Sequence, residues 1–151
     1  MLVARRWIDR WLRTMRTVAK GHAYRGCRLL AGHKILLVED EPVIAMDVAH
    51  ELEEAGAHVF TSPSPRAALA LIKADGWSAV VLAPELLDGD SSALGEQLRK
   101  RDIPFVLYGV GRPNGGACHD GVWVSTSAGP AVLLQTVKDL VQDRSMSRDQ
   151  L

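Results

Sequence analysis

Residues 34–42 read KILLVEDEP. Ile35 to Val38, with Lys34 leading in, form a short apolar run with β-branched members, which predicts a buried strand. Glu39, Asp40 and Glu41 follow at once, and then Pro42. Proline is favoured in the first turn of a helix, and acids there suit the positive end of the helix dipole. The three acids therefore mark the carboxyl end of a strand where it turns into a helix. In an open parallel sheet that end is where ligands bind. Clustered carboxylates at such a tip suit a hard divalent cation held through oxygen ligands. The same residues would equally make a plain, solvated helix start.

Working outward, strand and helix signals alternate. Lys34–Val38 is the first strand, and Pro42–Ala55 the first helix, with Val43, Ile44, Met46, Val48 and Leu52 assigned to its apolar side. Ala57–Thr61 reads as a strand, Pro65–Ala74 as a helix, and Ser78–Ala83 as a central strand. Ser91–Arg101 is a helix, Pro104–Tyr108 and Val122–Ser125 are strands, and Pro130–Asp143 is the last helix. Its apolar side carries Val132, Leu133, Val137, Leu140 and Val141. This alternation predicts an α/β fold: a parallel sheet with helices on both faces. The connection GVGRPNGGACHDG, residues 109–121, has five glycines and one proline in thirteen residues. That composition opposes a regular helix. Cys118, His119 and Asp120 stand side by side there, but adjacent ligands without a second matching pair are a weak metal signal.

The zero net charge of the 151 residues hides an asymmetry. Residues 1–33 hold eight Lys/Arg against one Asp, a net of +7, whereas the remaining 118 hold ten against seventeen, a net of −7. The expected organisation is a basic helix and linker over 1–33, one domain over 34–143, and a polar tail over 144–151. In residues 2–20, Ala4, Trp7, Ile8, Trp11, Leu12, Met15, Val18 and Ala19 recur at helical spacing, while Arg5, Arg6, Arg10, Arg13, Arg16 and Lys20 fill the other face. That pattern predicts an amphipathic helix suited to its own domain, a second copy, an anionic membrane surface or, without any recognition motif, nucleic acid. Two cysteines make no disulfide framework and suggest a cytoplasmic protein. The sequence has no apolar run of membrane-spanning length.

VEDEPVIAMDVAHELEEAGAHV, the strand–turn SAVVLAPELLDGD and the strand IPFVLYG resemble, in that order, segments of response-regulator receiver domains, the CheY-like phosphoacceptor modules of two-component signalling. The resemblance spans residues 34–143. It implies a flavodoxin-like, doubly wound five-stranded parallel sheet of order 2-1-3-4-5, with the family's fourth helix short or lost in 109–121. It also implies a site where an aspartate accepts a phosphoryl group, acids hold Mg²⁺, a lysine pairs with the phosphoryl oxygens and a Thr or Ser binds the phosphate.

Carried over position by position, that site is depleted. Glu39 and Asp40 match the family's acidic pair. Ala83 falls on the phosphoacceptor position and has no nucleophile. Tyr108 or Gly109 falls where Thr or Ser is expected, with one residue deleted. Thr126 replaces the lysine, and Trp123 matches the switch aromatic. Glu85, Asp88 and Asp90 lie a few residues beyond Ala83, yet in-line transfer tolerates little displacement, about 1 Å costing roughly a hundredfold.

The expected function is therefore that of a stand-alone pseudo-receiver, not an enzyme, acting in two-component or phosphorelay signalling through protein contacts. Its expected partner is a histidine kinase or another regulator, and a homodimer is a further expectation. Mg²⁺ binding at Glu39 and Asp40 is expected to be weak. The alternatives are a working phosphoacceptor using Asp88 or Asp90, and a scaffold anchored to a membrane or nucleic acid by its basic helix.

Overall fold

The computed structural model describes residues 28–83, 91–110 and 121–149. Five parallel strands form one sheet: β1 (Lys34–Val38), β2 (His58–Ser62), β3 (Ala79–Leu82), β4 (Phe105–Gly109) and β5 (Val122–Ser125). Their order is β2-β1-β3-β4-β5. Four α-helices lie among the described residues: α1 (Pro42–Glu54), α2 (Pro65–Leu71), α3 (Ser91–Lys100) and α4 (Pro130–Asp149). The fold is the doubly wound, flavodoxin-like arrangement that the alternation and the resemblance imply. The basic segment 2–20 and most of 109–121, with Cys118, His119 and Asp120, lie outside the described residues.

The sheet is apolar on both sides because its strands alternate between two cores. Ile35 and Leu37 point with Ala79, Val81, Val106 and Val124 into one core, closed by Val48 and Leu52 of α1 and by Val132, Leu133, Val137, Leu140 and Val141 of α4. Leu36, Val38, Val80, Leu82 and Leu107 point the other way, towards Ala68, Ile72 and Trp77 around α2 and Leu94 and Leu98 of α3. Ser64 caps α2, its hydroxyl accepting from Ala67 N at 3.1 Å, and Pro65 opens the helix.

The structure corrects the sequence reading in four places. On α1, Val43, Ile44 and Met46 are exposed at 65%, 44% and 72%. The buried stripe instead runs Ala45, Val48, Ala49, Leu52 and Ala55, the spacing that a 3.6-residue period requires. A run of large apolar side chains had outweighed that spacing. Next, residues taken as linker belong to the body. Leu30 is fully buried, and its N–H donates to Ala55 O at 2.8 Å. Gly56 makes this approach possible: its φ is +98°, and a Cβ there would meet Ala31 Cα at 3.0 Å. Last, the polar tail continues α4 as helix to Asp149. The Arg144 guanidinium donates from Nη1 to Trp77 O, tying the helix to the base of the sheet. α2 also stops at Leu71, short of the expected Ala74.

Leu30→Ala is expected to lower stability by about 2–5 kcal/mol, the usual cost of truncating a buried leucine. Val43→Ala, on the same chain but exposed, is expected to change it by less than about 0.5 kcal/mol. Urea unfolding midpoints check both.

Candidate functional site

The carboxyl ends of β1, β3, β4 and β5 stand side by side, because the register pairs Val38 with Leu82, Leu82 with Leu107, and Tyr108 with Val124. The backbone holds the next residues in line. Ala83 N donates to Val38 O at 3.1 Å, and Glu39 N donates to Ser62 O at 3.0 Å. Glu39, Ala83, Tyr108 and the Ser125–Thr126 step therefore share one edge of the sheet, the edge at which parallel folds bind ligands.

Each residue there has a defined environment. One carboxylate oxygen of Glu39 accepts the N–H of Glu41 at 3.0 Å, which folds the acid back over its own turn. Burial pushes the Glu39 carboxyl above the ordinary carboxylate range, and the neighbouring Asp40 adds to the rise against the lowering effect of the Glu41 N–H. Asp40 is exposed. Ala83 is buried and packs in the core on the α2–α3 side, so the tip of β3 presents hydrocarbon. At the tip of β5, Thr126 opens a short 3-10 turn, Thr126–Ala128. Ser125 Oγ accepts Ser127 N at 3.3 Å and lies 2.7 Å from Ser127 Oγ. Residues 121–130 contain no Lys or Arg, so this tip offers neutral hydroxyls only.

Tyr108, one candidate for the Thr or Ser position, and Trp123, at the switch-aromatic position, lie on opposite faces of the sheet. Tyr108 packs against the core on the α1–α4 side, whereas Trp123 packs against the α2–α3 side. Burial, and secondly the Glu51 carboxylate, raise the Tyr108 phenol above its ordinary pKa. The period of two in a strand contained this signal: Tyr108 pairs with Val124, and Trp123 with Leu107. Sequence reasoning also missed Glu51, three turns of helix from the acidic tip and close enough to act on Tyr108.

The donor set fits a hard divalent cation only in part. Glu39 and Asp40 supply carboxylate oxygens, but Glu39 is drawn to its own backbone and position 83 adds none. Among the described residues no group of three or more His, Cys, Asp or Glu is placed to hold a metal. Glu85, Asp88 and Asp90 lie outside the described residues. A cavity of about 480 Å³ sits at the opposite end of the sheet, lined by His33, Trp77, Ser78, Arg101 and Arg144 among others, and touches none of the tip residues.

No family model and no curated protein matches the chain. Solved structures do. A response regulator receiver domain protein (CheY-like) from Methanospirillum hungatei JF-1 is 18% identical with a TM-score of 0.68, the match covering 76% of this chain and 98% of that one. The response regulator protein TrrA from Thermotoga maritima, in complex with Mg(2+)-BeF, is 24% identical with a TM-score of 0.65, covering 72% and 98%. The signal receiver domain of a signal transduction histidine kinase from Syntrophus aciditrophicus is 23% identical with a TM-score of 0.64, covering 74% and 92%. The chain has the fold of CheY-like receiver domains.

The raised pKa of Glu39 has a signed consequence. Its stabilising contribution is complete below the ordinary carboxylate pKa and is lost as pH rises through its folded-state value. Glu39→Gln keeps the carbonyl acceptor for Glu41 N and removes the charge. The variant is expected to gain stability relative to the parent between about pH 4 and about pH 7, the interval that spans carboxylate titration. Urea midpoints at the two pH values check this.

Proposed function

We propose that this chain is a stand-alone pseudo-receiver in two-component or phosphorelay signalling, which works through contacts with another signalling protein and accepts no phosphate. The observation that carries this reading is the buried methyl group of Ala83 at the tip of β3. Phosphoryl transfer to a receiver needs a carboxylate nucleophile at that point, and alanine has none. Thr126 at the β5 tip adds a second deficit. A neutral hydroxyl does not balance the charge of a transferring phosphoryl group as an ammonium does. Neither Tyr108 nor Gly109 is the Thr or Ser that the resemblance expects at the tip of β4, a third deficit.

Glu39 and Asp40 remain as an acidic pair and bind Mg²⁺ weakly, since a hard cation in such a site needs more oxygen ligands than two side chains supply. The chain is read as a non-enzymatic, cytoplasmic protein. Its partner is a histidine kinase or another regulator that recognises the receiver surface itself. With the phosphorylation chemistry gone, what remains to be recognised is the surface of the α/β body.

Incubation with acetyl phosphate and Mg²⁺ is expected to give no phosphoryl adduct by mass spectrometry, and beryllofluoride no amide shifts by NMR beyond those that Mg²⁺ alone produces. A hydroxylamine-sensitive adduct on Asp88 or Asp90 would replace this reading with that of a displaced phosphoacceptor. The double variant Ala83→Asp/Thr126→Lys is expected to raise Mg²⁺ affinity by about tenfold, equivalent to about 1.4 kcal/mol, read by titration.

A further inference from the structure

α1 carries an outward stripe that the fold leaves uncovered. Val43 and Met46 are exposed at 65% and 72% and lie one turn apart, with Ile44 beside them at 44%. Residues 39–54 hold seven Asp or Glu and no Lys or Arg. Asp47, Glu53 and Glu54, all exposed, border the stripe. His50 also lies on this helix, 3.2 Å from Glu54, but with no Lys or Arg the strip stays net acidic, and its complement is an amphipathic helix with basic flanks.

Such a complement is written in the same chain. Residues 2–20 place Trp7, Ile8, Trp11, Leu12, Met15 and Val18 at helical spacing, between arginines, with residues 1–33 at a net of +7. We propose that this segment docks in cis on the outer face of α1, its apolar side over Val43 and Met46 and its arginines against the bordering acids.

The point where the chain joins the body sets the direction. Leu30 is hydrogen-bonded to Ala55 O, directly after the carboxyl end of α1. α1 is about 20 Å long and residues 2–20, as a helix, about 28 Å. Residues 21–27 span up to about 24 Å when extended, so the segment reaches the whole of α1. With Lys20 at the Glu54 end and residue 2 towards the Pro42 end, the segment lies parallel to α1 in chain direction. Counted along the two helices, Trp11 then falls opposite Met46, and Arg5 and Arg6 fall at the acidic tip of β1. A tether this short holds the segment at a local concentration on the order of millimolar, which favours its own α1 over that of a second chain. The proposal does not depend on the loss of phosphorylation.

The test is photocrosslinking in the full chain from Met46→p-benzoylphenylalanine, with Glu96→p-benzoylphenylalanine on α3, on the other face of the sheet, as control. Position 46 is expected to give a product of monomer mass joined within residues 2–20, in a yield independent of protein concentration, and position 96 none. Val43→Lys, an exposed site whose change leaves the core intact, is expected to cut that yield severalfold. The product is expected to persist when vesicles containing phosphatidylserine are added. A crosslink of doubled mass would assign the stripe to a second copy and overturn the proposal. So would loss of the intrachain product to vesicle binding, or no crosslink within residues 2–20.

Discussion

The structure depends on β1 being buried on both faces. Ile35 and Leu37 go into one core, Leu36 and Val38 into the other, and all four are at most 2% exposed. Each such side chain contributes about 1.5–3 kcal/mol when fully buried, and that gain exists only if helices cover both sides. Its backbone imposes the same demand along the sheet, because β1 pairs with β2 on one edge and β3 on the other. A strand so enclosed can release polar residues only at its ends. Glu39, Asp40 and Glu41 emerge there, and Pro42 turns the chain into α1.

That arrangement lines up the carboxyl ends of the strands whatever side chains they carry. The strand tips are brought into line by backbone pairing, which is indifferent to the side chain at position 83. Ala83 extends the core to the very tip of β3, next to two acids and across from neutral hydroxyls. The result is an edge at which Glu39 and Asp40 stand beside the hydrocarbon of Ala83 and the neutral hydroxyls of the β5 tip. Lys34 lies at the other end of β1, with its ammonium 4.1 Å from the Trp77 ring centroid.

Covering β1 also decides what α1 leaves outside. To reach Ile35 and Leu37, the helix presents small and medium residues, Ala45, Val48, Ala49, Leu52 and Ala55. The rotation that buries those five turns Val43 and Met46 outward. The exposed stripe is thus a geometric consequence of core packing, while its acidic border and the basic segment that matches it are properties of the sequence.

Much of this was legible in the residues alone. The apolar runs, the acids after Val38 and the Pro and Gly punctuation determine five strands, their alternation with helices and the place of the tip, because those signals act over a few neighbouring residues. That Ala83 and Thr126 stand where receiver domains carry an aspartate and a lysine comes from the resemblance, which those segments make possible. What required the tertiary structure is everything set by rotation and by contact across long separations. The face of α1 that packs inward depends on the fit of Val48 and Leu52 against α4, not on which residues are most apolar. Leu30 joins the core because Ala55 and Gly56, some 25 residues later, receive it. The helix runs on into the tail, where Arg144 donates to Trp77 O at a separation of 67 residues. Tyr108 and Trp123 part because the pairing of β4 with β5 sets their register, and that pairing is decided between strands rather than within either one.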